Sequence, residues 1–566
     1  MKDEILKNFL DDFSKKYDLD GFTDDSIFER FVNFCIVSKE YPREFDIEDL
    51  STGGADDLGI DGAAVIVNGN IINEEDEIEY FVNQNGNLDI TFILIQSKTS
   101  SKFSGEQVGT FLYGVKSLFD EKKSIPENEK IEKLRLIKEK IYQNSINFEH
   151  APNLKLYFAT TGEWKEPEQI KSRAARELSE IEEKKLFQDK PTINFIDAEK
   201  LKLFYRELQR KIIKEISIPS MIPLPDFKDE TKIKQALIGS VPVKSYLSIV
   251  ESEDKQLLKG LFYDNIRDFQ GNNSVNKEIG ATLRSSINQN ILPLLNNGIT
   301  IISKKLERTG NKIKLSDFQI VNGCQTTNVL YNNRDYISDD TNIIIKIIET
   351  DDKDITNNII RATNRQTEIK LEAFESIKTF HRDLQEYYKA KSTLIQFPIF
   401  YERRSKEFLG DSKVKPTQII SLATQIKSYL STVLIQPHST HRYFGELLNA
   451  NKENIFKENS SFDDYYYSAL LVNRISYLFK RKKISNLSIS YKYHVALIVF
   501  KKTKAMIKKD FSYSQLIEKT NEKIWFNKII IDSVNFVTKI ITENQLDSKI
   551  AFRNRDFTNL LLEKLF

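Results

Sequence analysis

A multidomain α/β protein with a mainly helical C-terminal region is the fold class this chain predicts, on three observations. Its 566 residues exceed what one hydrophobic core ordinarily supports. Strand-like and helix-like segments alternate over roughly the first 215 residues, the pattern of an α/β domain. From about residue 410 onward, apolar residues recur at helical spacing with few turn residues.

The elements follow in order. MKDEILKNFLDDF is acidic and amphipathic and lacks the basic-then-apolar order of a secretory signal, so a cytoplasmic location is expected. DDSIFERFVNFCIVSK (24–39) has an acidic start and helical apolar spacing. AAVIV and ITFILIQSK read as strands separated by a polar insertion, and LKLYFATTG (154–162) as a third. A charged helix near 167–187, the strand TINFID and the helix AEKLKLFYRELQRKI complete a first domain over 1–217. In SIPSMIPLPDF, Pro219, Pro223 and Pro225 cannot continue a helix, which places a linker at 218–227. A central α+β module over 228–409 contains the strand-like runs ILPLLNNGITIIS, FQIVNGCQTTNVLY and TNIIIKIIET. Residues 410–566, with YYYSALLVNRISYLFKRKK and VALIVFKKTKAMIKK, are expected to be helical.

Composition narrows the function. Apolar residues make up 40% and charged residues 29%, and no apolar stretch is long enough to cross a bilayer, so no membrane association is expected. Two cysteines, Cys35 and Cys324, leave neither a disulfide framework nor a four-sulfur zinc site. His438 and His441, beside Pro437, read as a surface turn, so any metal should be a hard cation held by oxygen. The net charge of +1 hides an asymmetry: residues 401–566 carry 28 Lys+Arg against 16 Asp+Glu, and residues 1–400 carry 55 against 66. A basic surplus is the footprint of a nucleic-acid contact, although lysines also serve to solvate long helices.

The stretch DDLGIDGAAVIVNG (56–69) concentrates acids and glycines before a strand. One strand further on, Gln96 and Lys98 alternate to the same face while Ser97 points away. If the two strands pair, Asp61 arrives at that edge. Asp61 and the Gln96 oxygen, helped by the main-chain carbonyl of Ser97, could then hold Mg²⁺, or Mn²⁺, while Lys98 orients or deprotonates a water and offsets charge on a phosphate. Gly59 and Gly62 would leave room for close approach, and Asp57 would support the site. The structural alternative is a set of polar residues at a sheet end.

GIDG followed by QSK resembles the PD-(D/E)xK nuclease fold in its Mrr-like variety, a restriction-endonuclease-like α/β domain in which glutamine commonly replaces the acid of the E-x-K element. LYFATTG and FIDAEKLKLFY resemble that family's closing strands and helix. The resemblance implies a further metal-binding acid on the preceding helix. Glu29 is the best match, since it shares a helical face with Val32 and Ile36. SSKFSGEQVGTF resembles the helix entry after the motif, which would let Glu106 and Gln107 orient Lys98.

In the central module, NNGIT (296–300) and VNGCQTTNVLY (321–331) each place an Asn-Gly turn after an apolar run, with a helix starting at Thr326 or Thr327 in the second. The N–H groups of such a start attract anions, so Asn322, Gly323, Gln325 and Thr326 could bind phosphate or nucleic acid with Arg361, Asn364 and Arg365 of RATNRQTEIK. Hairpin and capping chemistry explains the same residues. NIRDFQGNNSVNKEI, NNGIT, NGCQTT, NVLY and ATNRQTEIK, as an ordered set over roughly 230–410, resemble the AIPR family of bacterial abortive-infection phage-resistance proteins. Tyr401, Arg403 and Arg404 in YERRSKEF also match, and paired arginines beside an aromatic suit phosphate contact. These resemblances imply a Mg²⁺-dependent nuclease in abortive-infection defence, with DNA favoured over RNA. A homodimer for duplex cutting and a phage-derived trigger are expected with it. The alternative is a non-catalytic nucleic-acid or nucleotide sensor on a degenerate nuclease fold.

Overall fold

The computed structural model describes residues 3–209, 212–228, 232–252, 255, 257–262, 274–285, 288–364, 379–403, 407–408, 411, 413–457, 459–484, 486–507 and 512–565. The chain divides into two compact units: Met1–Lys15 with Leu19–Ile369, and Lys16–Asp18 with Lys370–Phe566.

The first unit begins with a five-stranded mixed sheet. Its strands are β1 (Gly62–Val67), β2 (Asn70–Ile72), β3 (Ile90–Lys98), β4 (Asn153–Thr160) and β5 (Thr192–Ile196), in the order β2-β1-β3-β4-β5. β1 runs antiparallel to β2 and β3, whereas β3, β4 and β5 are parallel. Asn68 and Gly69 both take positive φ, the geometry that a two-residue hairpin between β1 and β2 requires. Phe92 to Ile95 on β3 are fully buried, which explains their unbroken apolar run. The helix Asp24–Glu40 packs on β3, starting at the cap Thr23, whose side chain accepts from Ser26 N–H.

A second sheet has six strands: β6 (Ile213–Ser217), β7 (Ser220–Pro223), β8 (Gln235–Pro242), β9 (Ile299–Thr309), β10 (Lys312–Asn322) and β11 (Asn342–Glu349). The order is β6-β10-β9-β11-β8-β7. Only Ile218 and Pro219 separate β6 from β7, yet these strands end the order at opposite margins. Three Cα steps span at most about 11 Å, whereas five interstrand steps in a flat sheet would span about 24 Å. The sheet must therefore curl until its margins meet. The contacts agree: Ile218 N–H donates to Asn311 O beside β10, while a Cβ on Gly239 of β8 would lie 2.6 Å from Ile218 Cγ2. Leu237, Val241, Ile301, Ile313, Leu315, Ile343 and Ile345 build its core with residues of the helices Val243–Val250 and Cys324–Asn332.

Three sequence expectations change here. The stretch 218–227 is no free linker, because Ser220–Pro223 pairs with β8 as a marginal strand, where proline's missing N–H is tolerated. β6, expected within the first domain, pairs with β10 of the second sheet. The apolar run ILPLL is helical over Leu292–Leu295, so NNGIT precedes a strand instead of following one.

In the second unit, helices dominate beside a two-stranded parallel sheet, β12 (Phe400–Glu402) with β13 (Ile419–Ser421). The helix Thr379–Ser392, expected in the central module, belongs to this unit. Its Tyr388 packs 4.7 Å from Tyr466 on the helix Phe462–Lys480 and hydrogen-bonds Gln425 and Tyr465 O, which joins it to the helical core.

Candidate active site

The loop before β1 is held from three sides. Asp57 accepts from Gly54 N–H (3.1 Å) and Gly59 N–H (2.8 Å), so it braces the loop. Asn128 donates to Thr52 O (3.1 Å) and Ala55 O (3.2 Å). The helix Gly105–Leu118 docks through Gly114, where a Cβ would fall 1.7 Å from Leu58 O. Gly59, with φ +69°, lies against Phe111 Cα and the Gln96 side chain: a Cβ there would be 3.5 Å from the former and 3.2 Å from Gln96 Oε1.

This loop delivers Asp61 to the end of β3. Gly62 pairs with Ile95, so Asp61 lies just past the ladder, where its Oδ2 accepts from Ser97 N–H at 2.8 Å. The same oxygen accepts from Ser97 Oγ at 3.2 Å and from Gln96 Nε2, and Lys98 Nζ lies 3.8 Å away. Asp61, Gln96 and Lys98 are thus brought together. Ser97, expected to point away, joins them because the carboxylate reaches around the strand end. Gln96 meets Asp61 through its NH₂, which turns Oε1 towards Gly59.

The second carboxylate comes from Glu29. A Cβ on Gly53 would lie 3.0 Å from Glu29 Oε2 and 3.7 Å from Asp61 Oδ1, so the glycine lies beside both acids. Burial raises the Asp61 pKa above the usual carboxylate range, against the opposing pull of Lys98 and the Ser97 hydrogen bonds. Burial, followed by the nearby Asp61, pushes Glu29 up to about 7. Asp61 and Gln96 are 3% and 2% exposed, whereas the Lys98 side chain is 36% exposed and opens the cluster to solvent.

The other sequence candidates are placed as follows. Glu106 is exposed, and Gln107 lies in the first turn of its helix, whose cap Ser104 accepts from Gln107 N–H. β10 ends at Asn322, Gly323 takes φ +101°, and the next helix starts at Cys324, earlier than expected. Thr326 Oγ1 accepts from Asn296 Nδ2 (3.0 Å), and Asn296 Oδ1 accepts from Gly298 N–H (2.9 Å). Gln325 is half-buried in the same first turn. Asn322 Nδ2 donates to Thr363 O (3.5 Å), which brings the end of the helix Lys353–Asn364, carrying Arg361 and Asn364, to this turn. Arg403 belongs to the second unit, where its Nε donates to Gln385 Oε1 (3.0 Å) and its N–H to Glu407 Oε2 (3.3 Å). Arg365 and Arg404 lie outside the described residues.

Among the described residues, no group of three or more His, Cys, Asp or Glu side chains is placed to hold a metal. Asp61, buried, and Glu29, half-buried, are the two acids beside Gly53 that would meet a hard cation, with further oxygens drawn from Gln96, main chain or water. Sequence reasoning missed the Ser97 N–H and hydroxyl contacts to Asp61, Gly53, and Asn33, a buried residue whose Nδ2 donates to Asp61 O at 3.3 Å. The i, i+4 spacing of Glu29 and Asn33 was the available signal for the last.

No helix among the described residues is long and apolar enough to cross a membrane. A family model described as AIPR protein matches residues 262–547. No curated protein and no solved structure matches the chain.

Proposed function

Because the chain belongs to the AIPR protein family, whose model covers half of it, we propose that it acts in abortive-infection phage defence as a Mg²⁺-dependent nuclease, with DNA favoured over RNA. The observation that carries the nuclease reading is the meeting of Asp61, Glu29 and Lys98 at one sheet end, with the buried Asp61 and the half-buried Glu29 on either side of Gly53. Burial, followed by Asp61, opposes the ionisation of Glu29, and burial opposes that of Asp61, a cost that a divalent cation would offset.

Asp61 and Glu29 would hold the cation, with Gln96 able to contribute once its carboxamide turns its oxygen inward. When bound, Mg²⁺ polarises the scissile phosphate and lowers the pKa of water. The chain's own residues do the rest. Lys98, the exposed member, positions the attacking water and balances charge on phosphorus as one P–O bond forms and the other breaks, the leaving oxygen taking up a proton. Ser97 fixes Asp61 by two hydrogen bonds, so the carboxylate needs no reorganisation as substrate arrives.

The test uses purified full-length chain with plasmid DNA and with RNA, in Mg²⁺ or EDTA, beside Asp61→Ala and Lys98→Ala. Cleavage that needs Mg²⁺ and falls by about a thousandfold in each variant is expected. Defence against phage that persists in both variants would overturn the enzyme in favour of a sensor.

A further inference from the structure

We infer that Asn33 is a positioning residue for this site: it clamps the Asp61–Gly62 peptide to the helix that carries Glu29 and so sets the spacing between the two carboxylates. The inference rests on the nuclease reading above. Asn33 lies four residues after Glu29, on the same face of the helix Asp24–Glu40. It is fully buried, and its Nδ2 donates to Asp61 O at 3.3 Å. Thr52 N–H donates to the same carbonyl at 3.1 Å, which holds it from a second element.

Two features mark the contact as more than packing. Asn33 Oδ1 is buried with no hydrogen-bond partner among the described residues, an arrangement that core packing alone would replace with an apolar side chain. The amide also lies directly on the Gly62 main chain, where a Cβ would fall 2.1 Å from Oδ1. Gly62 thus exists as glycine to admit Asn33. Glu29 and Asp61 repel once ionised, so their separation has to be fixed by the main chain, and this clamp joins the two segments that carry them.

Mn²⁺ binding to the full chain, followed by calorimetry, tests the inference beside Mg²⁺-dependent plasmid cleavage. Asn33→Leu is expected to weaken Mn²⁺ binding by about tenfold and to recover most of its cleavage rate at saturating Mn²⁺. Gly62→Ala should weaken binding in the same way by displacing the amide. In the Asn33→Ala/Gly62→Ala double variant the clash is gone, so thermal stability returns towards wild type while Mn²⁺ affinity does not. A purely structural role would restore both, and that result would overturn the inference, as would a folded Asn33→Leu or Asn33→Ala variant with wild-type Mn²⁺ affinity. Wild-type protein that neither binds Mn²⁺ nor cleaves would sink the nuclease reading, and this inference with it.

Discussion

Two regions of the molecule hold a titratable side chain out of water, and they differ in what surrounds it. At the end of the first sheet, Glu29 and Asp61 are pushed up by burial, and Lys98 stands beside them, about a third exposed. In the second unit, His494 on the helix Lys492–Ile507 is fully buried, with rings of Phe557 and Tyr491 at 5.3 and 5.8 Å. Burial, followed by His438 and His441, lowers its pKa to about 3. The cause is the same in both places, since low dielectric disfavours whichever form is charged. Yet the sheet end sets a solvent-facing cation beside its acids, whereas His494 is closed in by rings. Perturbed titration alone does not mark a site; it does so where a ligand can enter and be met by complementary charge.

The largest expected separation between the two regions is in acid. His494 stays neutral in the fold while its unfolded counterpart gains a proton below about 6.5, so stability present above that pH is lost progressively towards pH 3. The contribution at stake reaches roughly 4 to 5 kcal/mol. Urea unfolding of His494→Gln between pH 7 and 4 is expected to show a flatter decline than wild type; equal slopes would refute the assignment.

A smaller effect is expected where the loop meets its helix. In Gly114→Ala the new Cβ falls 1.7 Å from Leu58 O, and such overpacking costs about 1–3 kcal/mol while displacing the loop that carries Asp61. Metal-dependent cleavage should drop with all site side chains intact, and unchanged cleavage would show that the loop tolerates movement.

The smallest effect has the opposite pH sign to His494. A carboxyl raised to about 7 from 4.5 favours the fold when protonated, so its destabilising influence grows as pH rises through that window and is complete above it. Glu29→Gln should therefore raise the melting temperature at pH 8 and leave it nearly unchanged at pH 5. A gain of equal size at both values would mean that Glu29 is not strained by its neighbours.

Much of the first sheet was legible because its signals are local. The apolar run before Gln96 and the acidic start of DDSIFERFVNFCIVSK each correspond to an element with nearly the expected bounds. Pairing of β1 with β3 follows from alternation and short separation, which is why Asp61, Gln96 and Lys98 could be placed together. What escaped depends on distant partners. Three prolines near residue 220 read as a break, but the marginal position that tolerates them is set by strands far along the chain. The Ser97 hydroxyl turns to Asp61 only because the carboxylate sits beyond the ladder. Likewise the His438–His441 turn is half-buried, with His438 Nδ1 3.1 Å from Thr558 Oγ1, a contact across 120 residues.

The passage from Ser217 to Ser220 has a consequence for how the second sheet comes apart. Because one short run of chain fastens both margins, neither presents a long free ladder to another molecule, and strand-to-strand aggregation is discouraged. A nick beside Pro219 would let the two margins part from each other while every ladder of the sheet stays intact.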